Sequence, residues 1–170
     1  MIATNDVHAS GSARPEAVAP NPHEHWPQAV ETLRNCLEIE LVALEGYDAA
    51  LTQATDPQVS QRLLELRGDH ARRQDLIRSR IRRLACTTDA CAPTAGVIVV
   101  AGLGGDAPLG QHGSVVALEA LERRGMTLYS EGPLLDDPST RAFFETVLLP
   151  AQRRTQDVCR SLEAFTRGSP

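Results

Sequence analysis

Lysine is absent from the chain: all 17 basic residues are arginine. That removes Schiff-base and other lysine chemistry from the functions open to it. Aromatic residues make up only 4% of the sequence against a hydrophobic content of 42%. A core so poor in aromatics favours a helix bundle built on Leu, Val and Ala over a β-sandwich. No run approaches the ~18 apolar residues of a membrane span. Met1 to Pro22 lacks the basic end and apolar stretch of a secretory signal. The expectation is a cytoplasmic protein with no membrane partner. A concentrated basic surface is missing too: the net charge is −5 and the pI about 5.5, which argues against nucleic acid as a partner. The four cysteines fit no zinc spacing, because Cys36 and Cys159 lie far from the Cys86/Cys91 pair. In a reducing compartment all four are thiols, with a Cys86–Cys91 loop disulfide left open.

At 170 residues the chain is long enough for one domain with a real core. Residues 1–26, rich in Ala, Ser, Pro and Asn, read as a disordered or surface-draped tail. Residues 27–170 read as an all-α, up-down four-helix bundle. The first helix runs from about Pro27 to Thr52, with the seam Val30, Leu33, Leu37, Glu40, Leu44, Tyr47 and Leu51. The second begins at Asp56-Pro57, an N-cap followed by proline at the first helical position. It continues to about Leu84, with Val59, Leu63, Leu66, His70, Ile77, Ile81 and Leu84 on one face. The third starts near Ser114 as N-cap and stops at Gly132-Pro133, with Val115, Leu118, Glu122, Met126 and Tyr129 inward. The fourth starts at Asp137-Pro138. Its seam is Phe144, Leu148, Ala151, Thr155, Val158, Leu162 and Phe165, and Pro150 should kink it.

The two halves repeat each other. Glu40, Tyr47, Asp56-Pro57 and Leu63-Leu64 correspond to Glu122, Tyr129, Asp137-Pro138 and Leu148-Leu149, the second half having about one extra turn before its Leu-Leu. Two helical hairpins joined by a long crossover, residues 85–113, account for this. The crossover carries the apolar run Val97-Ile98-Val99-Val100, expected to pack against the bundle or a second subunit, so a homodimer is the expected assembly. Its glycines do not make a phosphate loop: no lysine follows them and the G-x-G-x-x-G spacing is absent.

Glu40 and Glu122 stand at seam positions where leucine belongs. A buried carboxylate is costly unless a cation meets it, so something positive must sit between these helices. His70 shares the seam of the second helix. Aligning the Leu-Leu pairs of the two hairpins puts Gln152 and Thr155 at the matching level of the fourth. Tyr47 and Tyr129 are placed to hydrogen-bond the carboxylates, and Glu119, one turn from Glu122, could share its site. Glu38 and Glu45 face away from Glu40. The runs Arg72-Arg73, Arg82-Arg83, Arg123-Arg124 and Arg153-Arg154 read as solvated faces. His23-Glu24-His25-Trp26 is a weak metal clamp beside the tail, and His112 a loop residue.

With Leu44-Glu45-Gly46-Tyr47, Asp56-Pro57 and the doubled Glu-x6-Tyr in register with the seams, the chain resembles the ferritin-like superfamily. Within it, the chain looks like a bacterial family of uncharacterised four-helix proteins, the DUF2383 type. The resemblance covers roughly Pro27 to Phe165 without the crossover. Such folds hold two iron or manganese ions between single glutamates on two helices and Glu-x-x-His on the other two, and it implies ferroxidase or oxygen-activating chemistry. Here it implies metal ligands at Glu40, His70 and Glu122, but Arg67 stands where the glutamate before His70 belongs. Gln152 and Thr155 replace the second Glu-x-x-His.

Three readings follow. The first is a metal-free bundle, a stress-associated or interaction protein rather than an enzyme, requiring no cofactor and with Arg67 closing the old site. The second holds iron, manganese or zinc at Glu40, His70 and Glu122, with redox activity. The third is a structural dimer module working through the crossover and tail.

Overall fold

The computed structural model describes residues 26–85 and 109–168. His23, His25, Cys86, Cys91, Val97 to Val100, the tail and most of the crossover lie outside the described residues, and with them the basis for expecting a dimer. Among the described residues the chain is all helix: α1 (Trp26–Gln53), α2 (Pro57–Ala85), α3 (Gly110–Tyr129), a 3-10 turn at Gly132–Leu134, α4 (Pro138–Phe143), a π-helical turn at Phe144–Leu148 and α5 (Leu149–Arg167). The α4–π–α5 run is continuous and forms the fourth member of a four-helix bundle. No helix among the described residues is long and apolar enough to cross a membrane.

Both Asp-Pro starts behave as caps. The Asp56 carboxylate accepts from Gln58 N at 2.7 Å and Val59 N at 3.3 Å, and Asp137 accepts from Thr140 N at 2.8 Å. Each turn is also held by the opposite hairpin. Gln111 Oε1 accepts from Thr55 N and Asp56 N, both at 2.8 Å, which seats the start of α3 beside the α1–α2 turn. Arg80, near the end of α2, donates to Ser139 at 2.7 Å and Thr140 at 3.0 Å beside the start of α4.

Packing is most extensive between α1 and α2 and between α3 and α5, followed by α1 against α3; α2 and α5 pack much more sparsely. The α1–α3 pair is antiparallel, because Tyr47 reaches Glu122 while Tyr129 reaches Glu40. In a parallel pair the glutamates would be level and each tyrosine about 10 Å further along the axis.

The helix faces differ from expectation in detail. α1 buries Leu33, Glu40 and Tyr47 as expected, but its other buried positions are Ile39 and the small Ala29, Cys36, Ala43, Gly46 and Ala50, with Leu37 and Leu51 half-buried. α3 begins at Gly110 rather than near Ser114, which is buried inside it, and Gly125 replaces Met126 at the seam. On α5 the expected Ala151, Val158 and Phe165 give way to Gln152, Cys159 and Thr166, each one residue on. Pro150 is accommodated by the π turn just before it, where Leu149 N–H bonds to Phe144 O five residues back. That widened turn precedes a residue with no N–H to give and a ring that crowds an α-helical carbonyl. The Phe144 ring packs edge-on to Tyr129 at 6.1 Å and fills the space a Cβ at Gly132 would need.

A buried charge cluster as the candidate functional site

Each helical rod delivers one inward polar level. α1 supplies Glu40, α2 supplies His70 and Arg73, α3 supplies Glu122, and α5 supplies Gln152 and Thr155; all six are at most 3% exposed. The seam phase puts them there: each falls three or four residues from an apolar core residue of its own helix.

His70 is the hinge of the cluster. Its Nδ1 lies 2.9 Å from Glu40 Oε2 and its Nε2 2.8 Å from Glu122 Oε1. A carboxylate only accepts, so both ring nitrogens donate and His70 is an imidazolium. Burial alone would push the His70 pKa down. Hydrogen bonds to Glu122 and Glu40 and the charges of both carboxylates outweigh it and hold the value above that of an ordinary imidazole. For Glu122, burial pushes up, while its bonds to His70 and Tyr47 and the His70 and Arg73 charges win and hold it below the ordinary carboxyl range.

Arg73 supplies the second cation. Its Nε donates to Glu40 Oε1 at 3.1 Å and its Nη1 to Thr155 Oγ1 at 2.9 Å. Its Nη2 sits 2.8 Å from His70 Nδ1 and 3.2 Å from Nε2. One nitrogen cannot lie along both ring lone pairs, and each ring nitrogen already faces a carboxylate. This is therefore a guanidinium packed against the imidazole, not a hydrogen bond. Burial opposes the Arg73 charge, but the Glu40 carboxylate more than compensates. Two carboxylates, one imidazolium and one guanidinium leave the buried cluster neutral.

The remaining donors complete each carboxylate. Tyr47 Oη donates to Glu122 at 2.8 Å, Tyr129 Oη donates to Glu40, and Gln152 Nε2 donates to Glu122 Oε2 at 2.7 Å and to the Glu122 carbonyl at 3.1 Å. Each glutamate thus takes a tyrosine from the other hairpin. Burial, followed by the partner carboxylate's charge, pushes both tyrosines well above their ordinary range, so both stay protonated donors. The nearby Cys159 thiol is pushed up to about 12 by burial and is inert, as is Cys36, raised further still for the same reason.

Two expected members lie elsewhere. Arg67 does not enter the cluster: it is at the surface, forked onto Asp48 at 2.5 and 2.9 Å. Glu119 pairs with Arg123 on its own helix. Arg73, read from sequence as half of a solvated pair, holds the position assigned to Arg67. The overlooked signal is a gap in the α2 seam: between His70 and Ile77 the three-four alternation demands a member at 73 or 74, and both Arg73 and Gln74 are buried.

The donor set does not fit a metal pair. The carboxylates approach opposite nitrogens of one imidazole, so no single point serves all three as ligands, and a permanent cation already bonds Glu40. Among the described residues no group of three or more His, Cys, Asp or Glu side chains is arranged to hold a metal ion. The packing gap beside the cluster, between Ile39, Ala43, Leu121 and Gly125, has no room for a water molecule. A sealed, neutral, hydrogen-bonded cluster can hold four helices in one register; it offers no face to a substrate. No family model, curated protein or solved structure matches the chain.

Proposed function

We propose that this is a ferritin-like bundle whose metal position is filled by a side chain, Arg73, and that it acts as a metal-independent scaffold or interaction protein and not as a ferroxidase. The observation that carries the reading is the Arg73 guanidinium, 3% exposed, bonded to Glu40 and Thr155 and packed on His70. The ferritin-like assignment draws on two antiparallel hairpins, a central antiparallel α1–α3 pair and inward polar residues at one level of all four rods. Buried charges of this kind are best understood as devices for register: any slip of one helix strands an unpaired charge.

The test is metal content. Purified protein is incubated anaerobically with Fe(II), and separately with Mn(II) and Zn(II), desalted, and assayed for metal per chain. The expected result is no retained metal and an unchanged melting temperature, since a ligand bound to the folded state would raise it. About one or two equivalents per chain, lost in Glu40→Ala, would overturn the proposal.

A further inference from the structure

The weak contact between α2 and α5 leaves a cleft of about 690 Å3, within the range of small-molecule sites. Its open apolar surface comes from Pro150, Val158 and Phe165 on α5, and the buried Val59 on α2 and Leu162 on α5 also line it. Val158 and Phe165 belong to the apolar stripe that the sequence places in the core but that the structure displaces by one residue in favour of Gln152, Cys159 and Thr166. The apolar face of α5 is therefore wider than the bundle uses, and the surplus faces the cleft.

The polar residues of the cleft are unbalanced. Arg62, Arg153 and Arg154 line it against a single acid, Asp157. Arg62 is engaged by Glu65 at 2.8 Å and Asp157 lies 3.5 Å from Arg160. Arg153 and Arg154 are exposed and have no acidic partner among the described residues. In a chain of net charge −5, this concentrates positive charge over an apolar trough. Guanidinium forks match a carboxylate, and the trough matches hydrocarbon. We infer that the α2–α5 cleft binds a long-chain carboxylate, with its acyl chain along Pro150, Val158 and Phe165 and its head group at Arg153 and Arg154. This inference is independent of whether the buried cluster takes metal.

The full chain would be titrated calorimetrically with octanoate, decanoate and dodecanoate below their micelle concentrations, and with 1-decanol as the uncharged analogue. The expected result is saturable one-to-one binding that tightens about fourfold per added methylene, with decanol weaker than decanoate. Arg153→Gln with Arg154→Gln should weaken decanoate about tenfold or more, and Val158→Asp should abolish binding, with helix content unchanged in both. No saturable binding, or binding indifferent to the arginines and to the head group, would overturn the inference. So would binding that appears only when Val97, Ile98, Val99 and Val100 are replaced by serine, which would assign the cleft to the chain itself. A dimer dissociated by Val158→Asp would likewise overturn it, by assigning the cleft to a second copy.

Discussion

Replacing Arg73 with methionine removes one charge from a cluster that is neutral with it and leaves most of the side-chain volume in place. Two buried carboxylates would then face one imidazolium, and Thr155 would lose its guanidinium donor. Breaking a buried pair by deleting one partner costs about 3–5 kcal/mol, because the other charge stays buried without compensation. For a chain of this size that is a fall of roughly 6–20 °C in melting temperature. The loss should shrink as pH falls, since the stranded negative charge can be met by a proton. The assay is urea unfolding of wild type and Arg73→Met at pH 5, 6 and 7.5, followed by circular dichroism. A loss under about 1 kcal/mol at pH 7.5, as for an exposed pair, would refute the neutral-cluster account. Arg67→Ala is the control: its ion pair with Asp48 is at the surface, so stability should stay at the wild-type value.

The pH profile of the wild type should be a plateau with two edges. His70, with its folded pKa raised, contributes stability that is full below the ordinary imidazole value of 6.5 and lost as pH rises through the folded value. Glu122, with its folded pKa depressed, contributes stability present above the ordinary 4.5 and lost as pH falls through the folded value. Unfolding free energy measured from pH 3 to 9 should therefore be highest near pH 5–6.5, and His70→Gln should remove the alkaline fall; an unchanged alkaline limb would sink the imidazolium assignment. Tyr47→Phe and Tyr129→Phe each delete one donor to a buried carboxylate and should each cost about 1.5–3 kcal/mol by denaturant titration, with similar values because the two sites are related by the hairpin repeat. Gly132→Ala places a methyl inside the Phe144 ring and should destabilise by about 1–3 kcal/mol or more; a neutral result would mean the 3-10 turn is free to move.

Much of the bundle is written in one-residue patterns. The Asp-Pro pairs mark the starts of α2 and α4 because an Asp carboxylate caps the first turn and proline costs nothing at its first position. Glu40 and Glu122 stand out because leucine is what their phase calls for, and aligning the two Leu-Leu pairs is enough to bring Gln152 and Thr155 to their level. Harder to read was which of two adjacent residues on a broad apolar stripe faces inward. On α5, Val158 is more hydrophobic than Gln152 is, yet Gln152 is buried because Glu122 needs its amide. Tertiary demand at one level thereby turned the helix away from its most apolar face. The start of α3 four residues before Ser114 was also hidden: its anchor is Gln111, which serves backbone groups 55 and 56 residues away in the chain.

The identity of the buried cation follows from a direction that seam spacing leaves out. Arg67 and Arg73 lie three residues before and after His70 and so flank it symmetrically around the α2 axis. They are not symmetrical along it. Every side chain of an α-helix leans toward the N-terminus, so Arg73 leans back to the level of His70 and Arg67 leans away from it. Because α1 runs opposite to α2, leaning away from His70 carries Arg67 past the level of Glu40 toward the C-terminal part of α1, where Asp48 takes it. Leaning back carries Arg73 between Glu40 and Thr155. In this chain the cation comes from the C-terminal side of the histidine, because that is where the lean of the helix brings a guanidinium to the level of Glu40.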